Sequence, residues 1–240
     1  MNCHLAQNHF GLCDWWRILD HLQNLMSGTL ELRMKCILVQ DGIRRLKKYI
    51  NYWYKYNLTE GIMLIETERL VIRDLEQKDA KQLFKIVWQK GVVRFMKDWS
   101  ENSPSEEAFK GYIEWHQTQK DSTDVYECKR YAITLKGEDT LIGIVGMGLE
   151  DTINEVEMAY FLDESYQGKG YATEALIAFT DWCMKVSDLP YFILTIDCAN
   201  EASCKVAKRA GFELFEKRTP IGHKQPNMES DSYFYYRKYR

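Results

Sequence analysis

The spacing of apolar residues changes near residue 62. Before that point, residues 14–26 and 41–56 place their apolar side chains at helical intervals, and basic residues occupy the other faces of the second segment. We therefore predict two helices there. A basic amphipathic helix suits a membrane surface or a partner protein, but we favour the simpler interpretation that its apolar face packs on the rest of the chain. A third interpretation is a dispensable extension ahead of a natural start at Met63.

From Met63 onward, strand-like and helical stretches alternate. Apolar residues at intervals of three and four follow Asp79, which we predict to cap the helix after it. Hairpin strands come first, and a strand–helix–strand–helix–strand order follows. This order predicts an α/β (α+β) fold, with a mixed, mostly antiparallel sheet and helices on both of its faces. The predicted strands cover residues 64–73, 130–135, 140–149, 155–163, 191–197, 212–217 and 232–238, and the predicted helices cover residues 80–88, 105–119, 170–186 and 200–210.

The composition of the 240 residues is that of a folded protein, with 45% hydrophobic and 28% charged residues. A chain of this length can bury one substantial core, and we predict a basic helical extension at 1–62 followed by one main domain at 63–240. The extension carries eight Lys and Arg against five Asp and Glu, a net charge of +3, which leaves −6 for the main domain. An acidic main domain argues against nucleic acid as a partner and favours a small amine-bearing one.

The seven cysteines are odd in number, and no two of them follow the Cys-x-x-Cys spacing. Neither a disulfide framework nor a metal site is therefore indicated, and we expect reduced, mostly packed cysteines. No stretch is apolar over the length of a membrane span, and no basic-then-apolar leader begins the chain. We accordingly expect a cytoplasmic protein with no metal and no membrane span.

A glycine-rich turn at residues 166–172, Tyr-Gln-Gly-Lys-Gly-Tyr-Ala, lies between a predicted strand and a long predicted helix. Gly168 and Gly170 lack the Cβ atoms that would block a close approach to the backbone. The free N–H groups and the macrodipole at a helix N-terminus attract anions, so a pyrophosphate is the expected ligand. Lys169 either adds charge or points to solvent. A turn without a ligand would show the same spacing, so the turn alone leaves both interpretations open.

Two other phosphate-binding motifs do not fit this turn. A P-loop requires glycine at position 163 and Ser or Thr after the Gly-Lys pair, where this chain has Asp163 and Gly170. A dinucleotide-binding fingerprint requires a third glycine where Thr173 stands. An anion at this turn must therefore be bound by another kind of phosphate site.

The turn resembles the signature of the GNAT acetyltransferases, Gln/Arg-x-x-Gly-x-Gly/Ala, with Gln167 at its first position and Gly170 and Ala172 at the two small ones. Three further stretches resemble the family in order and spacing, at residues 65–73, 157–162 and 200–212. The resemblance covers residues 63–240. It is similar above all to the branch that contains the RimJ and RimL ribosomal-protein N-acetyltransferases and the spermidine acetyltransferases.

This resemblance implies acetyl-CoA as cosubstrate, bound where the sheet splays open at its fourth strand. The pantetheine arm would pair with the exposed edge of that strand, the diphosphate would lie on the amides of the turn, and a backbone N–H group near Phe161 or Leu162 would stabilise the oxyanion. Asn200 would orient the following helix, which agrees with a role as its N-cap. The implied acetyl-CoA-binding residues are Phe161, Leu162, Asp163, Gln167, Gly168, Lys169, Gly170, Tyr171, Ala172, Thr173, Asn200 and Ser203.

The attacking amine must be neutral, so a base or a chain of water molecules has to take its proton. Glu157 is the candidate base, because it interrupts an apolar strand and shares a face with Phe161. The alternative is a carboxylate that simply faces water, and Glu155 competes for the role. Ser203 is either the proton donor to the leaving thiolate or an ordinary serine of a first helical turn. Ala207 stands where many family members have a tyrosine as the acid, so Ser203, another tyrosine or water is left to protonate the thiolate.

We therefore predict an N-acetyltransferase that moves acetyl from acetyl-CoA to a primary amine by direct attack. The acceptor is either a protein N-terminus or a small polyamine or aminoglycoside-like amine, and the acidic main domain favours a cationic one. The missing tyrosine and the basic extension support a second hypothesis, a catalytically silent acyl-CoA-binding module. Residues 92–104 and 219–230 contain no motif that identifies the acceptor. The sequence does not decide between a monomer and a homodimer.

Overall fold

The computed structural model describes residues 63–102, 105–119, 126–150, 153–219 and 229–240. The predicted helices at 14–26 and 41–56, and the extension to which they belong, lie outside these residues. In the described part of the chain, no helix is long and apolar enough to cross a membrane.

Within these residues, eight strands form one sheet in the order β1-β2-β3-β4-β5-β6-β8-β7. All neighbouring strands are antiparallel except β5 and β6, which run parallel. The predicted mixed sheet is therefore confirmed. The strands are β1 (Leu64–Glu66), β2 (Leu70–Arg73), β3 (Lys129–Leu135), β4 (Leu141–Glu150), β5 (Glu155–Leu162), β6 (Tyr191–Asp197), β7 (Glu213–Arg218) and β8 (Tyr233–Tyr239). The α-helices are α1 (Ala80–Val87), α2 (Lys90–Val93), α3 (Lys97–Asn102), α4 (Glu106–Gln119), α5 (Tyr171–Val186) and α6 (Glu201–Arg209).

The first predicted strand, residues 64–73, is divided in two. The Thr67 N–H group donates to the Leu70 carbonyl at 2.9 Å, and the Leu70 N–H group donates back to the Thr67 hydroxyl at 2.9 Å. β1 and β2 therefore pair antiparallel, with Ile65 opposite Ile72. The prediction of one strand was wrong because the Thr67 hydroxyl closes a local turn that competes with an extended chain. As a result, the strand predicted as the fourth is β5.

The sheet separates two apolar clusters. Val156 of β5 belongs to the cluster on one face, together with Leu176 of α5. Phe161 of β5 belongs to the cluster on the other face, together with Leu83 of α1 and Phe109 of α4. Successive side chains of a strand point to opposite faces, so β5 contributes to both clusters. Helices on both faces of the sheet, as predicted, are confirmed.

β5 and β6 diverge soon after they meet. Their parallel pairing is limited to Glu157 opposite Ile193, whereas β5 pairs with β4 and β6 pairs with β8 along their whole lengths. The C-terminal half of β5 therefore has an edge toward β6 that no strand of the described residues occupies. The resemblance predicts an opening beside the fourth predicted strand, and the structure has it beside that strand, β5.

Asp79 is the N-cap residue of α1, as predicted, but its side chain does not make the expected capping bond. Its carboxylate accepts hydrogen bonds from Nη1 and Nη2 of Arg73 at 2.7 and 2.9 Å and from the Glu76 N–H group at 2.8 Å, and it makes no capping bond to α1. The prediction of this bond was wrong because a buried guanidinium is a charged donor and binds a carboxylate more strongly than a neutral N–H group does. The pair ties β2 to the start of α1.

Candidate active site

The turn predicted to bind phosphate links β5 to the N-terminus of α5. Gly168 and Gly170 have φ angles of 73° and 85°, which glycine adopts without steric cost. Gly170 is the N-cap of α5, and its carbonyl accepts a helical hydrogen bond from the Glu174 N–H group at 3.0 Å. The N–H groups of the three residues between them have no carbonyl one turn earlier to bind. They and the positive end of the helix dipole are available to an anion.

Neighbouring side chains hold this turn to the end of β5. Nε2 of Gln167 donates to the Leu162 carbonyl at 3.0 Å. The Asp163 carboxylate accepts from the Ser165 N–H group at 2.9 Å and from its hydroxyl at 2.6 Å, which caps a short 3-10 helix. The exposed Lys169 bends back, and its Nζ donates to the Ser165 carbonyl at 2.9 Å. These contacts within the chain fix the shape of the turn.

Arg69 connects the turn to the start of the main domain. Its Nε donates to Glu174 at 2.7 Å, its Nη1 donates to the Lys169 carbonyl at 3.0 Å, and its guanidinium lies 4.6 Å from the centroid of the Tyr171 ring. The Thr67 hydroxyl also donates to Glu174, at 2.6 Å. Burial acts to raise the pKa of Glu174, but these donors outweigh it and hold that pKa below its usual value. In the sequence, the sole signal for Arg69 was its place in the stretch 65–73, so its role was not predicted.

A groove of about 520 Å³ lies beside the first turn of α5. Thr173 and Ile177 line it from α5, Glu68 and Arg69 from the β1–β2 turn, and Arg209 from the end of α6. The volume is in the range of small-molecule sites, and apolar and basic groups face the same space.

The backbone of β5 presents alternate groups to the opening. The Asp163 N–H group donates to the Ile142 carbonyl of β4 at 2.8 Å. Successive N–H groups of a strand point in opposite directions, so the N–H group of Phe161 also faces β4 and that of Leu162 faces the opening. Of the two candidates for the oxyanion donor, Leu162 therefore has the suitable direction. Its carbonyl is already bound by Gln167.

Glu157 lies at the point where β5 and β6 part. Its Oε1 atom accepts hydrogen bonds from the Thr195 N–H group at 2.8 Å and from the Thr195 hydroxyl. Burial raises the pKa of Glu157 to about 7 and outweighs these two bonds, which favour the charged form. The residue is half-buried, so it does not simply face water. A carboxyl group with a pKa near neutrality can both take and release a proton.

Glu155, the competing candidate, is occupied by other side chains. Its carboxylate accepts from Nη2 of Arg237 at 2.9 Å, from the Tyr191 hydroxyl at 3.2 Å and from the Tyr235 hydroxyl. A carboxylate already held by a guanidinium and two hydroxyl groups is not available to an acceptor amine. Glu157 is therefore the better base of the two.

α6 lies beside the opening on the face of the sheet opposite Glu157. Asn200 caps α6 as predicted, since its side-chain oxygen accepts from the Ser203 N–H group at 3.1 Å. The Ser203 carbonyl lies 3.4 Å from the hydroxyl of Tyr160 on β5, and Ala207 is fully buried. Tyr160 could not be singled out from the sequence, where another tyrosine was only a general alternative for the acid. Burial raises the pKa of Tyr160 above its usual value, so its hydroxyl keeps its proton.

Aromatic side chains border the β5 strand on the face of Glu157. The ring centroid of Trp99 in α3 lies 5.0 Å from that of Phe161 and 5.5 Å from that of Tyr112 in α4. Trp99 belongs to the segment 92–104, in which no motif was evident. Among the residues described, no group of three or more His, Cys, Asp and Glu side chains could hold a metal ion.

Comparisons with known proteins agree with this geometry. A family model described as an acetyltransferase (GNAT) domain matches residues 69–213, more than half of the chain. An uncharacterised N-acetyltransferase of Bacillus subtilis is 28% identical over 176 residues, which cover 72% of this chain and 95% of that protein. A ribosomal-protein-serine acetyltransferase of Escherichia coli is 36% identical over 78 residues, which cover 32% of this chain and 44% of that protein.

The fold is also similar to that of solved acetyltransferases. One of them is RimL, an alpha-N-protein acetyltransferase of ribosomal proteins, in complex with coenzyme A. The two structures superpose with a TM-score of 0.61 at 20% identity, over 74% of this chain and 98% of that one. At this level of identity the likeness concerns the fold.

Proposed function

The chain belongs to the GNAT acetyltransferase family, and we propose that it transfers the acetyl group of acetyl-CoA to a primary amine by direct attack. Family membership rests on the match over residues 69–213. The observation that carries the proposal is the opening between β5 and β6, which has the glycine turn at one end and Glu157 at the other. An anion site and a base with a pKa near neutrality thus flank one unpaired strand edge.

Acetyl-CoA supplies the acetyl group as a thioester, and the residues around the opening fit it. The free amides at the N-terminus of α5 suit its diphosphate, and the groove beside Arg69 and Arg209 offers room for the adjoining nucleoside. The N–H group of Leu162 is directed at the opening, where the pantetheine arm and the carbonyl of the thioester would lie.

Glu157 is the proposed general base. With a pKa of about 7, a large fraction of its carboxyl groups is charged at neutral pH and can take the proton of the attacking amine. The amine nitrogen then forms a bond to the thioester carbon, the carbon–sulfur bond breaks, and its electron pair leaves on the thiolate. The Ser203 hydroxyl, or water beside it, relays a proton from solvent to that sulfur.

A protein N-terminus is the acceptor class that we favour. The Escherichia coli relative is named a ribosomal-protein-serine acetyltransferase, and the similar solved structure is that of an alpha-N-protein acetyltransferase. A small polyamine is the alternative, since the net charge of −6 on residues 63–240 suits either cationic amine.

Turnover of acetyl-CoA by the full chain tests the proposal. We expect thiol release, and acetylated product by mass spectrometry, with peptides that have a free N-terminal amine, and none with the same peptides blocked at the N-terminus. Spermidine and an aminoglycoside complete the panel. Tight binding of coenzyme A without thiol release on any amine would contradict the proposal and favour the silent acyl-CoA-binding module.

Replacement of the proposed base tests the mechanism separately. Glu157→Gln keeps the size of the side chain and can still accept from Thr195, but it cannot take a proton. We expect kcat/KM to fall by about 10²–10⁴-fold, with the affinity for coenzyme A unchanged in calorimetry. Full activity of this variant would remove Glu157 from the mechanism without affecting the proposed reaction.

A further inference from the structure

Two groups of Thr195 donate to a single oxygen of Glu157. The backbone N–H group lies 2.8 Å from Oε1, and the side-chain hydroxyl donates to the same atom. Within the described residues, Oε2 of Glu157 has no hydrogen-bond partner. One oxygen of the carboxylate is thus fixed from β6, and the other is left for a different donor.

The position of Thr195 explains why it can do this. In a continuing parallel ladder, the N–H group two residues after Ile193 would donate to a main-chain carbonyl of β5. It donates instead to the Glu157 side chain, one step beyond the last paired position of the two strands. The carboxylate therefore takes the place of a main-chain carbonyl as the acceptor for this N–H group. The Glu157 side chain therefore cannot rotate without losing its hydrogen bonds to Thr195.

We propose that Thr195 is a positioning residue for acetyl transfer, which holds Oε1 of Glu157 so that Oε2 faces the attacking amine, and whose hydroxyl favours the charged form of the carboxylate. This inference rests on the proposed function, in which Glu157 is the base. A hydrogen bond donated to a carboxylate stabilises its charged form and lowers its pKa. The Thr195 hydroxyl therefore opposes the effect of burial, which raises the pKa of Glu157.

Other charged groups near Glu157 do not substitute for Thr195. Arg130 of β3 and Glu150 of β4 act on the pKa of Glu157 in opposite directions. Glu155, on the same strand and face, is paired with Arg237. The other titratable groups on this side are Tyr112 and His116 of α4, whose rings are in contact, and the Glu155 partners Tyr191 of β6 and Tyr235 of β8.

The pH dependence of kcat/KM tests the inference. Thr195→Val removes the hydroxyl but keeps the shape of the side chain, and Thr195→Ser keeps the hydroxyl. For Thr195→Val we expect the rising limb of the profile to move to higher pH by up to about one unit, a loss of up to about tenfold on that limb, and activity that approaches the unmodified chain on the alkaline plateau. Thr195→Ser should keep the original limb.

A purely structural role would lower activity by the same factor at every pH, and a Thr195→Val profile of that kind would overturn the inference. Thr195→Ala removes the hydroxyl without adding a methyl group in its place, and it must show the same shift if Thr195→Val does not fold. Glu157→Gln separates the role of Glu157 as the base from the role of Thr195. If it keeps the rising limb, the base assignment itself fails; if it loses the limb while Thr195→Val and Thr195→Ala leave it in place, the role of Thr195 alone is wrong.

Discussion

Glu155 and Glu157 lie two residues apart on the same face of β5, yet their surroundings differ. Glu155 meets Arg237, which is 82 positions away, and Glu157 meets Thr195, which is 38 positions away. Both carboxylates could be named from the sequence because they interrupt an apolar strand. They could not be ranked, because their partners are brought near only by the folded sheet.

Arg69 provides a prediction at the residue scale. Arg69→Ala removes the contacts to Glu174 and to the Lys169 carbonyl that hold the turn. We expect weaker binding of coenzyme A in calorimetry with little change in the thermal midpoint, because the Arg69 side chain is 43% exposed and exposed ion pairs add little stability. Lys97→Ala, at the exposed ion pair with Glu101, is the matched control. Equal affinities of both variants would contradict the role of Arg69.

Asp79 provides a second prediction at the residue scale, which concerns stability. Its carboxylate is 3% exposed and paired with Arg73, whereas Asp139, the other partner of Arg73, is 50% exposed. Asp79→Ala leaves a buried guanidinium without its main partner, and we expect a loss of about 3–5 kcal/mol in the free energy of unfolding. Asp139→Ala should cost at most about 1 kcal/mol. Urea unfolding curves measure both, and equal losses would contradict the account.

At the scale of elements, helices of several turns were predictable and helices of four to six residues were not. The predicted helices at 105–119 and 170–186 correspond to Glu106–Gln119 and Tyr171–Val186, because several turns repeat the same apolar spacing. The helices Lys90–Val93 and Lys97–Asn102 have four and six residues, too few to establish a period. Tertiary packing of side chains such as Trp99 decides their conformation.

Two glycine substitutions test how the local backbone conformation affects stability. Gly111 is exposed in the interior of α4, and an added Cβ would meet no atom within 4 Å. Gly111→Ala should therefore raise the free energy of unfolding by about 1 kcal/mol. Gly168 also has free space, but its φ of 73° disfavours alanine, and Gly168→Ala should lower the same quantity by about 1–2 kcal/mol. Urea unfolding that gave both changes the same sign would contradict this.

At the scale of the whole molecule, the opening between β5 and β6 makes a site from segments far apart in sequence. The motif at residues 166–172 and the resemblance around it were enough to locate the turn and to indicate the opening. The direction of the Leu162 N–H group and the Thr195 bonds to Glu157 come from the register of the sheet. A one-residue change of register would reverse both, and no local pattern encodes that register. The Arg69 contacts depend on the packing of the β1–β2 turn against α5.

The domain boundary stays a prediction at this scale. A chain that begins at Met63 should bind coenzyme A with the same dissociation constant as the full chain, because the described site uses no residue before Thr67. Calorimetry on both proteins compares them directly, with thermal unfolding as the check that the shorter chain is folded. A folded shorter chain with a much weaker affinity would place part of the site in residues 1–62.

The central claim is that the diphosphate of coenzyme A binds at the turn before α5, and the affinity of Gly170→Trp for coenzyme A tests it most directly. Gly170 lines the groove, and even a Cβ there would lie 3.4 Å from Nη2 of Arg69. Gly137→Trp is the control, because Gly137 has the same φ of 85° and free space around it in the β3–β4 turn. We predict that calorimetry will show a dissociation constant raised about tenfold or more for Gly170→Trp, at least 1.4 kcal/mol, and unchanged for Gly137→Trp. An unchanged dissociation constant for a folded Gly170→Trp would contradict the placement of the cosubstrate.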